Sequence, residues 1–279
     1  MKIFLTGGTG FIGSHFINAA HTRGIDIVAL RRSGSVPRMP LLKQPRWVDA
    51  QLDEDVTDQL RGVDVFVHLA SHSANPPYDE LSACLYWNVY ASLKLAEKAR
   101  QCGVIKYLIA GSCFEYGESA NEFDEIPVDA RLLPNLSYPI SKAAASVSFV
   151  GFAIEHSLQL QILRLFQVYG EGEQESRFWP SLRSAALAGQ DFSMTAGEQI
   201  RDFVHVSDVV QQMIEALSFQ DIIAKRPSIK NIGSGKPQTL RQFAEFWWQV
   251  WQGTGVLKFG ERPYRKNEVM RLVPKLDHS

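Results

Sequence analysis

Cysteine is scarce in this chain. Its 279 residues hold three, Cys84, Cys102 and Cys113. That odd number, without metal-ligand spacing, argues against a disulfide framework and a metal centre and fits a reducing compartment. A surplus of charge is lacking as well: 29 Lys and Arg stand against 30 Asp and Glu, a formal net charge of -1. Binding to a phosphate backbone normally leaves a basic excess, so nucleic acid is not an expected partner. No apolar run reaches the length of a membrane span, and the N-terminus reads as a strand entering a glycine loop rather than as a signal peptide. Internal repeats and low-complexity tracts are missing too. With 45% hydrophobic and 21% charged residues, the expectation is a cytoplasmic globular protein able to bury a large core.

What is present is alternation. Strand-like runs at Lys2 to Thr6, Ile25 to Leu30, Val63 to Ala70, Val104 to Gly111 and Leu158 to Leu165 are separated by helix-like runs at Gly13 to Arg23, Asp79 to Gln101 and Tyr138 to His156. That order predicts a parallel sheet covered by helices. Gly24 and Gly103 follow two of the helical runs, where a residue tolerant of left-handed backbone stops a helix. After Tyr169-Gly170 the alternation loosens, and a smaller lobe is expected, interrupted by returns to the sheet near Phe203 to Val210 and Ile229 to Ile232. The aromatic-rich helix opened by Thr239 reads as a packing helix.

The first strand runs into Thr6-Gly7-Gly8-Thr9-Gly10-Phe11-Ile12-Gly13. Glycines so spaced between a strand and a helix give a tight turn, a close backbone approach to a pyrophosphate and close packing of helix on strand, while the helix N-terminus offers amide donors. The pattern therefore predicts dinucleotide binding. At the end of the second strand, where an acidic residue would meet the ribose hydroxyls of NAD, the chain reads Leu30-Arg31-Arg32-Ser33. An arginine there pairs with a 2'-phosphate, which favours NADP and leaves NAD open.

Further along, Tyr138-Pro139-Ile140-Ser141-Lys142 sets a phenol and an ammonium four residues apart, with Ser112 at the end of an apolar run. On a helix the pair shares one face. A lysine beneath a tyrosine is expected to lower the phenol pKa, so that it exchanges a proton with a substrate oxygen near neutral pH. A solvated surface helix would produce the same bare spacing, and the glycine loop is what tips the reading towards chemistry.

Together, the glycine loop, His68-Leu69-Ala70, Asn88-Val89, Ser112 and Tyr138-x-x-x-Lys142 resemble the extended short-chain dehydrogenase/reductase family, in its sugar-nucleotide epimerase, dehydratase and reductase branch. The resemblance implies an α/β fold: a Rossmann-type doubly wound parallel sheet, over residues 1–168 and about 203–233, with a small C-terminal substrate-binding lobe, over 169–202 and 234–279. It implies Ser112, Tyr138 and Lys142 as catalytic residues. Gly7, Gly10, Phe11, Ile12, Gly13, Arg31, Arg32, Leu52, Leu69, Ala70, Ser71, Asn88, Tyr138, Lys142 and Phe166 would meet the cofactor. Ser112, Cys113, Phe114, Gln167, Arg201, Arg265 and Glu268 would meet a sugar nucleotide, Arg201 gripping its pyrophosphate through a planar fork of donors. A homodimer is implied as well, paired through the helices containing Asn88 and Tyr138, with Ala143, Ala144 and Ala145 permitting close approach.

Departures from the family pattern narrow the chemistry. Cys113 and Phe114 stand where 4,6-dehydratases carry an Asp-Glu pair, and Phe114 stands where epimerase-reductases acting at C3 and C5 carry a cysteine. Neither activity is expected. Glu115 reads as structural or as a substrate contact, Gln167 replaces an asparagine near the nucleotide phosphates, and the chain stops at Ser279, where relatives usually continue. Simple hydride transfer remains: reduction at C4 of a CDP- or dTDP-linked 4-keto-6-deoxyhexose, as in the abequose synthases. A C4 epimerase retaining NAD is the alternative, and a non-catalytic NADP sensor ranks below both.

Overall fold

The computed structural model describes residues 1–265 and 268–276. The chain runs through β1 (Lys2–Thr6), α1 (Phe11–Thr22), β2 (Asp26–Arg31), β3 (Arg46–Asp49), α2 (Thr57–Leu60) and β4 (Val65–His68). Then α3 (Leu81–Leu85) continues through a π-helical stretch (Tyr86–Ala91) into α4 (Ser92–Gln101), followed by β5 (Lys106–Ser112), α5 (Ser137–Glu155) and β6 (Gln159–Leu165). Next come β7 (Gln167–Tyr169), α6 (Phe178–Leu187), β8 (Phe192–Met194), β9 (Ile200–His205), α7 (Val206–Ala216) and β10 (Ser228–Ile232). The remaining elements are β11 (Pro237–Thr239), α8 (Leu240–Val250), β12 (Leu257–Phe259) and β13 (Arg271–Leu272).

Seven strands form one parallel sheet in the order β10-β6-β5-β4-β1-β2-β3. Winding reverses between β1 and β4, and the crevice beyond the carboxyl ends of these two strands is where a doubly wound sheet takes a ligand. Side chains alternate across the sheet with a period of two. Ile3, Leu5, Val65 and Val67 point to one face, where α1 and α7 cover them with Phe16, Ile17, Val209 and Met213. Phe4, Phe66, Tyr107 and Ile109 point to the other, against Leu95, Ala99 and Phe149 of α4 and α5. Both faces are dry, which is why these strands read as nearly continuous apolar runs.

Gly24 and Gly103 do sit in the left-handed region just past α1 and α4. Other expectations are corrected. The run Phe203 to Val210 does not return to the main sheet: β9 joins a second sheet with β7, β11 and β13, and the chain turns helical at Val206. Val206, Val209, Val210, Met213 and Ile214 follow helical spacing, and it is this helix that packs back over the main sheet. The edge strand β3 escaped the sequence reading because Arg46 and Asp49 at its ends are exposed and charged. In the lobe, α6 and α8 bury Leu182, Ala186, Ala244 and Trp248 around Met194, so the aromatic helix is indeed a packing helix. Lys266, Asn267 and residues 277–279 lie outside the described residues. Among the described residues no helix is long and apolar enough to cross a membrane.

The close seating of α1 on β1 depends on Gly13, where an added Cβ would lie 2.1 Å from the carbonyl oxygen of Gly7. Gly13→Ala should therefore lower unfolding stability by about 1–3 kcal/mol. Gly10→Ala, with its nearest clash at 3.2 Å, should cost less, and urea unfolding of the two variants would rank them.

Candidate active site

The site begins where β1 ends. Gly7 takes a left-handed φ of 76°, and a Cβ there would sit 2.5 Å from the backbone nitrogen of Ala70, so only glycine lets the turn lie against the end of β4. Thr6 fastens the same junction: its hydroxyl accepts the Ala70 N–H at 3.2 Å and lies 2.8 Å from Nδ1 of His68. Gly10 then starts α1 with no side-chain cap, and no acidic residue occupies the first turn. Phe11 and Ile12 thus open a helix whose N-terminal amides and positive dipole face the crevice between β1 and β4, with Leu69 and Ala70 on its far wall. This cradle, which a side chain at Gly7 or Gly13 would fill, fits a pyrophosphate.

At the end of β2, register places Arg31 beside Asp49 of β3. The Arg31 Nε donates to Asp49 Oδ1 at 2.7 Å, and its guanidinium lies 5.0 Å from the Trp47 ring. Arg31 is therefore engaged rather than free, while Arg32 is exposed. Asp49 was invisible to the sequence reading because its strand was. Leu52 packs against the apolar layer of the sheet.

The second part of the site gathers at the ends of β4 and β5. Ser112 closes β5 and caps a single 3-10 turn over Cys113–Glu115, its hydroxyl accepting the Phe114 N–H at 3.2 Å. Tyr138 lies in the first turn of α5, buried, with the Ser71 and Ser112 side chains as the polar neighbours of its hydroxyl. Burial pushes the Tyr138 phenol up to about 12, outweighing the downward pull of both serines. Lys142 shares the helix face as expected, yet its charge is not what sets the phenol. Its ammonium donates to the Ala110 carbonyl at 2.7 Å instead. Burial lowers the Lys142 pKa, and the carboxylate of Glu115 opposes that.

Asn88 supports this group from the π-helical stretch. Its Nδ2 donates to Ser141 Oγ at 2.9 Å and to the His72 carbonyl at 3.1 Å, and its Oδ1 accepts the His72 N–H at 2.7 Å. It thereby ties the loop after β4 to α5. The irregular turn is what aims Asn88, a common use of π-bulges. Tyr78, which sequence reasoning missed, lies with its ring 5.4 Å from that of Tyr138.

A cleft of about 500 Å³ lies on the far side of the 3-10 turn, and Phe114, Gln167, Arg201, Arg265 and Glu268 all line it. Arg201 donates to Glu268 at 3.0 Å and to the Val269 carbonyl at 2.6 Å. Two further lining arginines, Arg177 and Arg262, were not anticipated, since they sit in loops or at a helix start where periodicity gives no signal. Glu173 pairs with Arg177 at 3.2 Å through one oxygen while the other is buried without a partner, and burial raises its carboxyl to about 7. Two expected substrate contacts, Ser112 and Cys113, do not line the cleft. Cys113 packs into a small apolar cluster with Tyr116 and Leu272, where burial pushes the thiol up to about 12, and Phe166, expected at the cofactor, is buried in the same cluster. Glu115, whose side chain is fully buried beside Arg164, is structural rather than a substrate contact.

Comparison with known proteins gives the family. The family model described as "NAD dependent epimerase/dehydratase family" matches residues 3–233. A CDP-abequose synthase of Salmonella typhimurium is 26% identical over 277 residues, covering 96% of this chain and 87% of its own. A UDP-glucose 4-epimerase of Corynebacterium glutamicum is 25% identical over 266 residues, covering 88% and 79%. The structure of MoeE5 in complex with UDP-glucuronic acid and NAD superposes with a TM-score of 0.83 at 26% identity, covering 99% of this chain and 90% of MoeE5.

The floor of the site carries a pH dependence. Burial, aided by the charge of Lys142, lowers His68 from 6.5 to about 3. The unfolded chain therefore binds a proton that the folded chain refuses. The stability held by neutral His68 is intact above pH 6.5 and is lost as pH falls towards 3, at up to about 1.4 kcal/mol per pH unit. In urea titrations between pH 7 and 4, His68→Gln should lose less stability on acidification than the parent chain.

Proposed function

The chain belongs to the NAD dependent epimerase/dehydratase family, and we propose that within it this protein is a reductase acting at C4 of a CDP- or dTDP-linked 4-keto-6-deoxyhexose. One observation carries the reading: Tyr138 and Ser112 stand together in a buried site whose neighbouring positions 113 and 114 hold Cys and Phe. Without a carboxylate at those two positions, Tyr138 is the proton carrier beside Ser112. The Tyr138 phenol carries its proton at neutral pH, the state that a donor to a ketone oxygen needs.

In this mechanism Ser112 donates a hydrogen bond to the C4 carbonyl oxygen and Tyr138 delivers the proton to it. Lys142 holds the nicotinamide ribose and supplies positive charge to the site. The reduced nicotinamide, when bound, supplies the hydride. The amides of the first turn of α1, framed by Gly7, Gly10 and Gly13, would hold the cofactor pyrophosphate, and Leu52, Leu69, Ala70 and Ser71 would flank the cofactor. Arg201 and Arg265 face the pyrophosphate of the sugar nucleotide, and Arg177 adds a third cation to the same cleft. NADPH is the proposed cofactor, with the exposed Arg32 as the 2'-phosphate contact.

A second reading, a C4 epimerase retaining NAD, is favoured by the Arg31–Asp49 pair, since a carboxylate at the adenosine end disfavours a 2'-phosphate. We also propose a homodimer through the helices containing Asn88 and Tyr138. Support comes from exposed apolar side chains on them, Tyr90 at 57%, Val147 at 63% and Ile154 at 48% exposure. Ala143 and Ala145 are themselves buried in the chain's own core, so these larger residues would make the contact.

Tyr138→Phe should lower turnover of a dTDP-4-keto-6-deoxyhexose by about 100- to 10,000-fold, followed as loss of NADPH absorbance, and undiminished turnover would end the mechanism. Stoichiometric NADPH consumption marks the reductase, and a tightly retained nicotinamide in the purified protein marks the epimerase. For cofactor choice, Asp49→Asn should raise affinity for NADPH relative to NADH. An unchanged ratio would remove the Arg31–Asp49 pair from that choice.

A further inference from the structure

Under the Ser112 turn the chain buries an ion pair that the mechanism leaves unused. The Glu115 side chain is 0% exposed and that of Arg164 4%, and Arg164 Nε donates to Glu115 Oε2 at 2.9 Å. The other carboxylate oxygen, Oε1, accepts the backbone N–H of Ser112 at 2.7 Å. Arg164 is satisfied in turn. Its Nη1 donates to the Tyr116 hydroxyl at 3.0 Å and to the Val128 carbonyl at 2.8 Å. The Tyr116 hydroxyl donates to Asn231 Oδ1 at 2.6 Å, and Asn231 donates to the Ile126 carbonyl at 3.0 Å.

Such a pair is a poor device for stability alone. Two charges must be stripped of water, and well-packed apolar residues of similar volume often serve as well or better. The sheet even makes room for it: a Cβ on Gly111 would lie 2.9 Å from Glu115 Oε1 and 3.0 Å from Arg164 Cγ. The carboxylate meets two members of the proposed catalytic group at the end of β5. Its Oε1 accepts the Ser112 N–H and lies against Gly111, while the Lys142 ammonium donates to the carbonyl of the preceding residue, Ala110. The two charges thus stand at neighbouring positions of one strand end, and the negative charge opposes the desolvation of Lys142.

We propose that Glu115 is a positioning residue with two separable effects, its Oε1 fixing the backbone of Ser112 and its charge keeping the buried Lys142 ammonium cationic. This rests on the roles given to Ser112 and Lys142 under the proposed function. The groups around Lys142 are few. Tyr138 and Ser141 lie on its own helix, the Ala110 carbonyl on β5, neutral His68 on β4 and Glu115 on the 3-10 turn, with Arg164 of β6 behind Glu115. Glu115 is the single negative charge in this set. Removing it takes away the support that offsets burial, so Lys142 should release its proton at lower pH.

Fluorescence titration with NADPH between pH 6 and 10 tests this without a sugar substrate. In the parent protein affinity should fall on the alkaline side as Lys142 deprotonates, and Lys142→Met should bind weakly with no such limb. Glu115→Gln keeps an oxygen for the Ser112 N–H but loses the charge, and should move the limb to lower pH by about one pH unit. Glu115→Asp keeps the charge and should leave the limb in place. If Glu115→Gln fails to fold by circular dichroism, Glu115→Gln with Arg164→Met removes both charges together, and a shifted limb is expected there. A Lys142-dependent limb that neither glutamine variant moves would overturn the inference alone. A limb that survives Lys142→Met would overturn the role of Lys142, and this inference with it.

Discussion

The exclusion of water from the carboxyl ends of β4 and β5 is the constraint to which the rest of the structure answers. Within that small volume lie His68, Ser112, Glu115, Tyr138, Ser141, Lys142 and Arg164, all buried. Each would cost several kcal/mol if left unpaired away from solvent. The surrounding elements supply partners one by one: Thr6 for His68, Ala110 for Lys142, Asn88 for Ser141, Arg164 for Glu115. The strands bring the backbone ends together, and the polar side chains then fit because every partner comes from a different element. A hydrogen-bonded network of this kind is rigid and specific in a way that an apolar core is not.

The same desolvation shapes the chemistry. In water a lysine four residues from a tyrosine would make the phenol a better acid. Here burial dominates, and the ammonium is directed at a backbone carbonyl, so Tyr138 keeps its proton. In the proposed reduction that proton goes to a carbonyl oxygen beside the Ser112 hydroxyl. The lobe contributes the opposite electrostatics. Its cleft is walled by four arginines, two of them held by glutamates, an arrangement matched to a ligand that carries several negative charges of its own.

Much of this was legible in the sequence because it rests on local rules. The glycine loop, the apolar parallel strands, the glycine stops after α1 and α4, and the shared face of Tyr138 and Lys142 each follow from backbone geometry within a few residues. What escaped depends on long-range register. Asp49 matters because β3 pairs with β2 and brings it to Arg31, and β3 is a polar edge strand without an apolar signature. The Glu115–Arg164 pair joins positions 49 residues apart, and no local pattern announces it. Phe203 to Val210 misled for the converse reason: its valines satisfy the needs of a buried strand and of an apolar helix face alike, and packing against α1 decides for the helix.

The lobe and the sheet are also joined covalently and electrostatically in a way that bears on specificity. β9 leaves the lobe sheet and passes at once into α7, which packs on α1, the helix that opens over the cofactor cradle. On β9 sits Arg201, held to Glu268 and the Val269 carbonyl just before β13 pairs with the same strand. The cation that faces the cleft is therefore mounted on the strand leading into the helix that packs on α1. A bound anion that drew Arg201 away would have to break its hydrogen bonds to Glu268 and the Val269 carbonyl. The cleft should accordingly favour ligands whose negative charge reaches Arg201 where it stands, and discriminate against those that need it to move.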